Sequence, residues 1–424
     1  MMQLNILMGI RKMKMKKIFN FENFCVGIFY LLFYFSYDSN VRMLRLDSRI
    51  CLYINILIIC ILLAVCIIKK RVKVNKNSVI LLILLLVFNL ISNTIYQTNF
   101  NTIFFMEIMT ILAFIISICF SKEEFIRIFV KTLVAISITS LIGQYVLAPL
   151  ALKNRLPYTL YYDAKSYFPM ADLGIAFAKY NVGIQRNYSF FREPGVFQIF
   201  ILLAMTFSMF WKSFNSKEKT VYNTILLLTL ITTFSTMGFI SVIILFIAYV
   251  LSSKDKNKMK FLMAFVVVII IGMLFVTSSE SGRTMFERTT NKLFENTDNE
   301  SFSVRYYSIF NNVIASVNNP IFGMGYDRGF EYIINNLNQF GTRDVTGSLI
   351  IIAAVIGWPI ALVCNYCFYK STTYVLKKQK NIIKILIWFA LFLSINSQNI
   401  LYTNFFWIIL FFACCREERG DNDV

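Results

Sequence analysis

The chain alternates long apolar runs with short polar connections over most of its length. The runs at 78–96 and 260–277, for example, consist mainly of Leu, Ile, Val, Phe and Met. A run of roughly 20 such residues matches the thickness of the hydrocarbon layer of a membrane. Only helices and closed barrels satisfy all their backbone polar groups inside that layer. Runs of this length therefore predict an all-α, polytopic membrane protein.

About twelve transmembrane helices are predicted, and together they form one membrane domain over 1–424. The predicted spans are 19–36, 49–68, 78–96, 102–120, 125–147, 195–211, 221–235, 237–251, 259–277, 346–369, 382–396 and 400–415. The seventh and eighth could instead be one interrupted segment, because only four residues separate Phe234 from Phe239. Basic residues precede the first span and no small-x-small cleavage site follows it, which predicts an uncleaved anchor.

Charge gives this bundle a direction. The formal net charge is +19, with 42 Lys and Arg among 424 residues. If the N-terminus lies inside, most basic residues fall in the inner connections, as the positive-inside rule requires. Arg42, Arg45 and Arg49 are then the only basic residues in short outer connections. We expect a plasma-membrane protein with both termini in the cytoplasm, membrane lipids around it and no nucleic-acid partner.

Composition restricts the chemistry. The chain has no histidine, which excludes histidine-based acid/base catalysis and histidine metal ligation. Its nine cysteines lie in or beside apolar runs, and we interpret the pair Cys364 and Cys367 as small buried hydrophobic residues. Asp298 and Glu300 have the spacing of a metal-binding pair but lie in a polar stretch, so we interpret them as solvated. We therefore expect no metal and no other cofactor.

Two connections on the predicted outer side are long, at 148–194 and 278–345, and loops of this length are usually functional or disordered. Arginine dominates the outer connections, whereas lysine dominates the inner ones. The guanidinium fork binds phosphate or carboxylate in a bidentate manner, so the outer face is predicted to bind an anion such as a lipid phosphate. Alternatively, these arginines pair with acids of the second loop or with lipid headgroups. That second loop also contains a helical apolar pattern, at Val304, Tyr307, Phe310, Val313, Ile314 and Val317.

The segment Phe191-Arg-Glu-Pro194 opens the sixth predicted span. Proline fits the first position of a helix, so Glu193 occupies the N-cap position. Arg192 and Glu193 are thereby expected at the outer mouth of this span, at the positive end of the helix dipole. The alternative is a capping acid beside a snorkelling arginine.

Two later segments complete the set of candidates. Arg305 precedes an Asn-Pro-x-x-Gly-x-Gly motif at 319–325, whose glycines allow a tight turn and a close approach of backbones. Asp344 is expected at the outer membrane boundary. It leads into a span that contains Gly357 and Pro359 and is therefore predicted to be kinked.

In their order along the chain, these segments resemble the Wzy-type O-antigen and capsular polysaccharide polymerases, which are relatives of the O-antigen ligases. The resemblance lies in the Phe-x-Glu-Pro segment, the Ser/Thr-Met-Gly break at 235–238, Arg305, the motif at 319–325 and a long outer loop before the tenth span. Ligases and many relatives carry a histidine just before that span. This chain has Asp344-Val-Thr-Gly-Ser348 there instead, which counts against a ligase.

The resemblance implies a GT-C-like, metal-independent, inverting glycosyltransferase at the outer face of a bacterial plasma membrane. A growing glycan on undecaprenyl pyrophosphate would be the donor, and a second lipid-linked repeat unit would be the acceptor. A chain-length regulator is a further expected partner. The product would be capsule, O-antigen or another exopolysaccharide.

Site roles follow from this chemistry, because a hydroxyl attacks and a pyrophosphate leaves. The candidates for the base are Glu193, then Asp344 and Asp327. The predicted pyrophosphate contacts are Arg192, Arg305 and Arg288, with Arg186, Arg283 and Arg328 in reserve.

Other functions stay open at this point. An O-antigen ligase-like transferase is one alternative, and a lipid-linked oligosaccharide flippase or transporter is another. Transporters concentrate ionisable groups near the membrane midplane. Glu107 is the only clear acid within a predicted span, whereas the candidate residues lie in asymmetric outer loops, which favours a transferase.

Overall fold

The computed structural model describes residues 20–153, 155, 157–161, 170–175, 177–179, 186–252, 300–338 and 345–417. This described part is mostly helical, as predicted. It also contains a small antiparallel sheet of three strands, which the all-α prediction did not include. The strands are β1 (Thr159–Tyr161), β2 (Met170–Asp172) and β3 (Phe177–Lys179).

Fifteen α-helices are described, several of them preceded by a capping side chain. They are α1 (Phe21–Tyr34), α2 (Ser48–Ile68), α3 (Lys76–Ile95), α4 (Phe100–Cys119), α5 (Lys122–Ile142), α6 (Ala148–Leu152), α7 (Pro194–Phe210), α8 (Ser216–Thr232), α9 (Thr236–Ser252), α10 (Glu300–Asn318), α11 (Tyr326–Asn338), α12 (Ile351–Val355), α13 (Trp358–Thr373), α14 (Asn381–Asn396) and α15 (Asn404–Phe412). Ser121 caps α5 and Asn215 caps α8, each in a capping box with a glutamate three residues later.

Four described helices are long and apolar enough to cross a membrane: α2, α3, α4 and the continuous helix Lys122–Ala151 that extends α5. Helices α1, α7, α9 and α14 are apolar but shorter. The seventh and eighth predicted spans are two separate helices, α8 and α9, joined through Phe234 at φ +48°. The tenth predicted span breaks between α12 and α13 at Gly357, where a kink was predicted. The ninth, at 259–277, lies outside the described residues.

Helices α7 and α15 form the centre of the fold. Every residue from Gly195 to Met209 is buried, and so is every residue of α15. A helix that is apolar all round must be covered on all sides. Helix α7 packs against α5, α8, α9 and α14, and α15 packs against α4 and α13. Stacked rings of Phe33 and Phe405 join α1 to α15.

The two ends of the bundle can be told apart by their charged contacts. One end contains ion pairs that both lysine and arginine form with acids, such as Lys131 with Glu22, Lys377 with Glu417 and Arg71 with Glu124. At the other end the connections that precede α2, α4, α7, α9 and α15 meet, and their contacts are described below. We call this second end the Glu193 end, after the residue at the start of α7.

Candidate active site

The segment before α7 is fixed by backbone hydrogen bonds to the connection between α1 and α2. The N–H of Asn40 and its side-chain amide donate to the carbonyls of Phe190 and Phe191, both at 2.7 Å. The N–H of Arg192 donates to the carbonyl of Asp38, also at 2.7 Å. Because both phenylalanine rings are buried, the next two residues, Arg192 and Glu193, are held at the start of α7.

Glu193 occupies the N-cap position of α7 and Pro194 the first helical position, as predicted. However, the Glu193 side chain forms no capping hydrogen bond, and 51% of it is exposed. Its role as a capping acid, the alternative interpretation of the sequence, is therefore wrong. The carboxylate stays near the positive end of the helix dipole without being used by the helix.

The guanidinium of Arg192 lies between three oxygens. Its Nη1 is 3.5 Å from Oδ1 of Asp38, and its Nε is 3.8 Å from Oε1 of Glu193. Its Nη2 donates a long hydrogen bond of 3.5 Å to the carbonyl of Asn399, in the connection between α14 and α15. These two distances to carboxylate oxygens exceed those of a tight bidentate pair.

Arg186 and Arg305 lie within electrostatic range of the same carboxylate. Burial lowers the pKa of both guanidinium groups, that of Arg186 to about 10, and the charge of Glu193 partly offsets this effect. Arg305 in turn lowers the pKa of Arg186, so the two cations are close to each other. The Nε of Arg186 donates to the carbonyl of Thr233, at the end of α8 (3.0 Å). Among the described residues, no carboxylate lies within 4.0 Å of either guanidinium.

The structure thus brings together residues from both long predicted loops. Arg186, Arg192 and Glu193 come from the first loop, and Arg305, on α10, comes from the second. We call these four residues and Asp38 the Glu193 cluster. It holds three guanidinium groups and two carboxyl groups, so its excess of positive charge favours the binding of an anion.

Sequence reasoning missed Asp38. Its side chain is only 3% exposed, and burial raises its pKa above the ordinary value, with the charge of Arg192 opposing this rise. Within the described residues its Oδ2 has no hydrogen-bond partner. Its position in the sequence could have indicated it as a candidate, because Asp38 is an acid in a short connection that also contains Arg42 and Arg45.

Asp327 and Arg328 lie at a different place on the Glu193 end. The carboxylate of Asp327 accepts hydrogen bonds from the N–H of Asn99 (2.7 Å), the N-cap residue of α4, and from the hydroxyl of Thr102 (3.2 Å) in the first turn of that helix. The guanidinium of Arg328 lies 5.5 Å from the ring centre of Tyr96. In the described structure neither residue forms an ion pair with the Glu193 cluster. Asp344, Arg283 and Arg288 lie outside the described residues.

The glycine motif packs against the break between α12 and α13. Gly323 and Gly325 have φ of +65° and +70°, and the N–H groups of Met324 and Gly325 donate to the carbonyls of Ala354 and Val355. A Cβ on Gly323 would lie 2.5 Å from the carbonyl carbon of Val355. The turn after α10 is therefore seated directly on the break between α12 and α13.

Part of the chain is similar to a known protein family. Residues 221–357 match the family model described as O-antigen ligase. The predicted relationship to the O-antigen ligases is confirmed. The matched segment runs from α8 to the α12–α13 break and includes Arg305 and the glycine motif. No curated protein matches the chain.

The family match supports a membrane glycosyltransferase related to O-antigen ligases and polymerases, with lipid-linked glycans as substrates and a bacterial membrane as its location. Arg192, Glu193 and Asp38 lie outside the matched segment. Their place in the site rests on the tertiary contacts described above.

Proposed function

We propose that the protein is a polysaccharide polymerase. It joins repeat units carried on undecaprenyl pyrophosphate at the outer face of the plasma membrane, as a metal-independent, inverting glycosyltransferase. The observation that carries this proposal is the Glu193 cluster, in which an exposed carboxylate that does not cap its helix lies within the field of three guanidinium groups.

The reaction is a single displacement. The acceptor hydroxyl oxygen forms a bond to the anomeric carbon of the donor, while the bond from that carbon to the diphosphate oxygen breaks. The acceptor proton passes to the carboxylate of Glu193, and the diphosphate leaves as an anion. Attack from the face opposite the leaving group inverts the anomeric centre.

Guanidinium groups suit this leaving group. Charge on the departing diphosphate develops in a partly buried site, where fixed cations stabilise it more than they would in water. Arg305 and Arg186 are the more buried cations of the cluster and are pre-positioned on α10 and on the carbonyl of Thr233. They take the role for which a metal ion would otherwise be needed.

Glu193 is a better base than Asp38. A base must come within hydrogen-bond distance of the hydroxyl that it deprotonates. The Glu193 side chain is half exposed, whereas Asp38 is enclosed and lies against Arg192. Asp38 therefore positions Arg192, and Glu193 reaches the substrate.

The proposal includes a twelve-span topology with both termini in the cytoplasm. The Glu193 end then faces outward and the lysine-containing ion pairs face the cytoplasm, in agreement with the positive-inside rule. Lipid-linked repeats are available to the cluster on that outer side.

An O-antigen ligase is the second candidate, since the matched family model carries that description. A ligase would transfer a finished polymer to another acceptor. The absence of histidine from the chain argues for the polymerase, because the resemblance leads us to expect a histidine before the tenth span of a ligase.

Deletion of the gene in its host distinguishes these functions. A polymerase deletion leaves single repeat units on the carrier or on the cell surface, whereas a ligase deletion leaves finished polymer on the carrier. Retention of single repeats on the cytoplasmic side would instead indicate a flippase. The carrier lipids are extracted and analysed by mass spectrometry. One sample of intact cells or spheroplasts is first treated with a glycosidase that reaches only the outer face, so the comparison shows both the length of the glycan and the side of the membrane on which it lies.

A further inference from the structure

A cavity of about 490 Å³ opens between the first turns of α2 and α4, beside the Glu193 cluster. Its volume lies within the range of small-molecule sites. Five aromatic side chains line it: Tyr37, Tyr53, Phe104, Phe105 and Tyr402. None of them belongs to the cluster already described.

The aromatic rings form two walls. On the inner side the half-buried rings of Tyr37 and Tyr402 lie 5.1 Å apart, and Phe105 lies 5.4 Å from Tyr37. On the outer side the side chains of Tyr53 and Phe104 are 63% and 50% exposed. The face of an aromatic ring carries negative charge density, so it attracts the polarised C–H groups on the apolar face of a sugar ring.

Polar groups complete the lining. Arg49 lies in the first turn of α2, and Asn101 and Thr102 lie in the first turn of α4. In the described part of the chain no carboxylate lies within 4.0 Å of the Arg49 guanidinium. The guanidinium of Arg49 and the amide of Asn101 can form hydrogen bonds with several hydroxyl groups of a saccharide. A lipid tail could not use them.

Two residues that line the cavity are close in the chain to residues that contact Arg192. Tyr37 precedes Asp38, whose carboxylate faces Arg192, and Tyr402 follows closely after Asn399, whose carbonyl accepts from Arg192. A saccharide bound in the cavity, beside the contacting rings of Tyr37 and Tyr402, would therefore lie close to the proposed reaction centre.

The cavity also borders the surface predicted to face lipid. Below Tyr53, the side chains of Leu57 and Ile61 on α2 are 60% and 45% exposed, which is expected where a helix contacts hydrocarbon. A carrier lipid can thus remain in the membrane along α2 while its glycan enters the cavity from the side.

We propose that this cavity binds the saccharide of the acceptor, the second lipid-linked glycan of the reaction. The inference rests on the proposed transferase function and adds a separate site to it. The Glu193 cluster binds the diphosphate of the donor, and the aromatic cavity holds the glycan whose hydroxyl attacks.

The test uses the full-length protein in lipid nanodiscs with lipid-linked glycans purified from the host. Carrier that bears a polymer is the donor and is held at saturation, while the concentration of carrier that bears a single repeat unit, the acceptor, is varied. For Tyr53→Ser and Arg49→Gln we expect the KM for the acceptor to rise about tenfold while kcat stays near the wild-type value. Tyr53→Phe keeps the ring and should keep the wild-type KM. The matched control is Tyr366→Ser, since Tyr366 is 59% exposed and does not line the cavity.

A binding measurement with two probes identifies the part of the ligand that is recognised. Tyr53→Ser should weaken binding of the glycosylated carrier but not of bare undecaprenyl pyrophosphate, whereas Arg305→Gln should weaken binding of both. Unchanged acceptor KM in Tyr53→Ser and Arg49→Gln, with an active wild-type protein, overturns the acceptor site and leaves the proposed function intact. Equal weakening of both probes by Tyr53→Ser also overturns it, because the cavity would then bind a headgroup. An inactive wild-type protein defeats the proposed function instead, and the binding result still decides whether the cavity recognises the glycan.

Discussion

Asp38 and Arg192 contact each other through both backbone and side chain, although one precedes α2 and the other precedes α7. The N–H of Arg192 donates to the carbonyl of Asp38 at 2.7 Å, and Nη1 lies 3.5 Å from Oδ1. The backbone bond fixes the chain, and the side-chain contact fixes the direction of the guanidinium. Together they hold Arg192 beside Glu193 and beside the aromatic cavity, so the contact joins the two proposed substrate sites.

Replacement of Glu193 by Gln should reduce polymer formation by roughly 100-fold or more without unfolding the protein. The amide has nearly the same shape but cannot accept the acceptor proton. Because the carboxylate forms no capping hydrogen bond, only its interaction with the helix dipole is lost, so the helix should be weakened little. Polymer length on gels and the initial rate in nanodiscs measure the effect.

The matched control is Glu331→Gln, an exposed glutamate on α11 that forms no ion pair within the described part of the chain. It should behave as the wild type. Activity of Glu193→Gln within a few-fold of the wild type would show that another group is the base.

Replacement of Arg305 by Gln should reduce chain extension by about 100- to 1,000-fold, the usual cost of removing one group that stabilises transition-state charge. Arg305 is a buried cation in the field of Glu193, so it is positioned for the departing diphosphate. The protein level in the membrane should be unchanged. Lys378→Gln, which removes an exposed cation from the opposite end of the bundle, should have no effect. Polymer of near-normal length in Arg305→Gln cells would remove this residue from the site.

Asp38→Asn should alter the pH dependence of stability in a defined direction. Burial raises the pKa of Asp38, and Arg192, Glu193 and Arg42 are the charged groups that act on it. The folded state therefore binds a proton more tightly than the unfolded state. This stabilisation is present below the unfolded pKa of about 3.9 and is lost as the pH rises through the folded value.

Asn cannot titrate, so the difference in Tm between the wild type and Asp38→Asn should change with pH. It should favour the wild type most at about pH 4 and shift against it as the pH approaches 7. Glu331→Gln should give a difference that stays flat. A flat difference for Asp38→Asn as well would mean that Asp38 has an ordinary pKa. Thermal unfolding in detergent between these pH values provides the measurement.

Gly323→Ala should destabilise the protein by about 1–3 kcal/mol or prevent its folding. The residue has φ +65°, and a Cβ would meet the backbone of Val355. Gly27→Ala is the matched control, since a Cβ there meets nothing within 4 Å and Gly27 lies inside α1. The control should be neutral or stabilising by up to about 1 kcal/mol. Equal Tm values for the two variants would contradict the close backbone contact seen at Gly323.

The sequence alone predicted those features that depend on local pattern. Pro194 and the apolar run after it predicted the start of α7 with Glu193 at its N-cap, and the spacing of apolar residues predicted α10. It could not give the contacts between distant segments. Asp327 is a candidate base by its sequence, and only the tertiary structure shows that its carboxylate accepts hydrogen bonds from Asn99 and Thr102 at the start of α4.

Hydrophobic run length, charge bias and short motifs are properties of the chain itself, and they determined the helical membrane class, the family relationship and the arginines worth testing. The tertiary structure decided which of these groups meet. It placed Asp38 against Arg192, Arg305 near Arg186 and Glu193, and an aromatic cavity beside them. Electrostatic interactions weaken as the distance between the charges grows and as the charges become more exposed to water. No local pattern could state which charged groups, far apart in the chain, come that close.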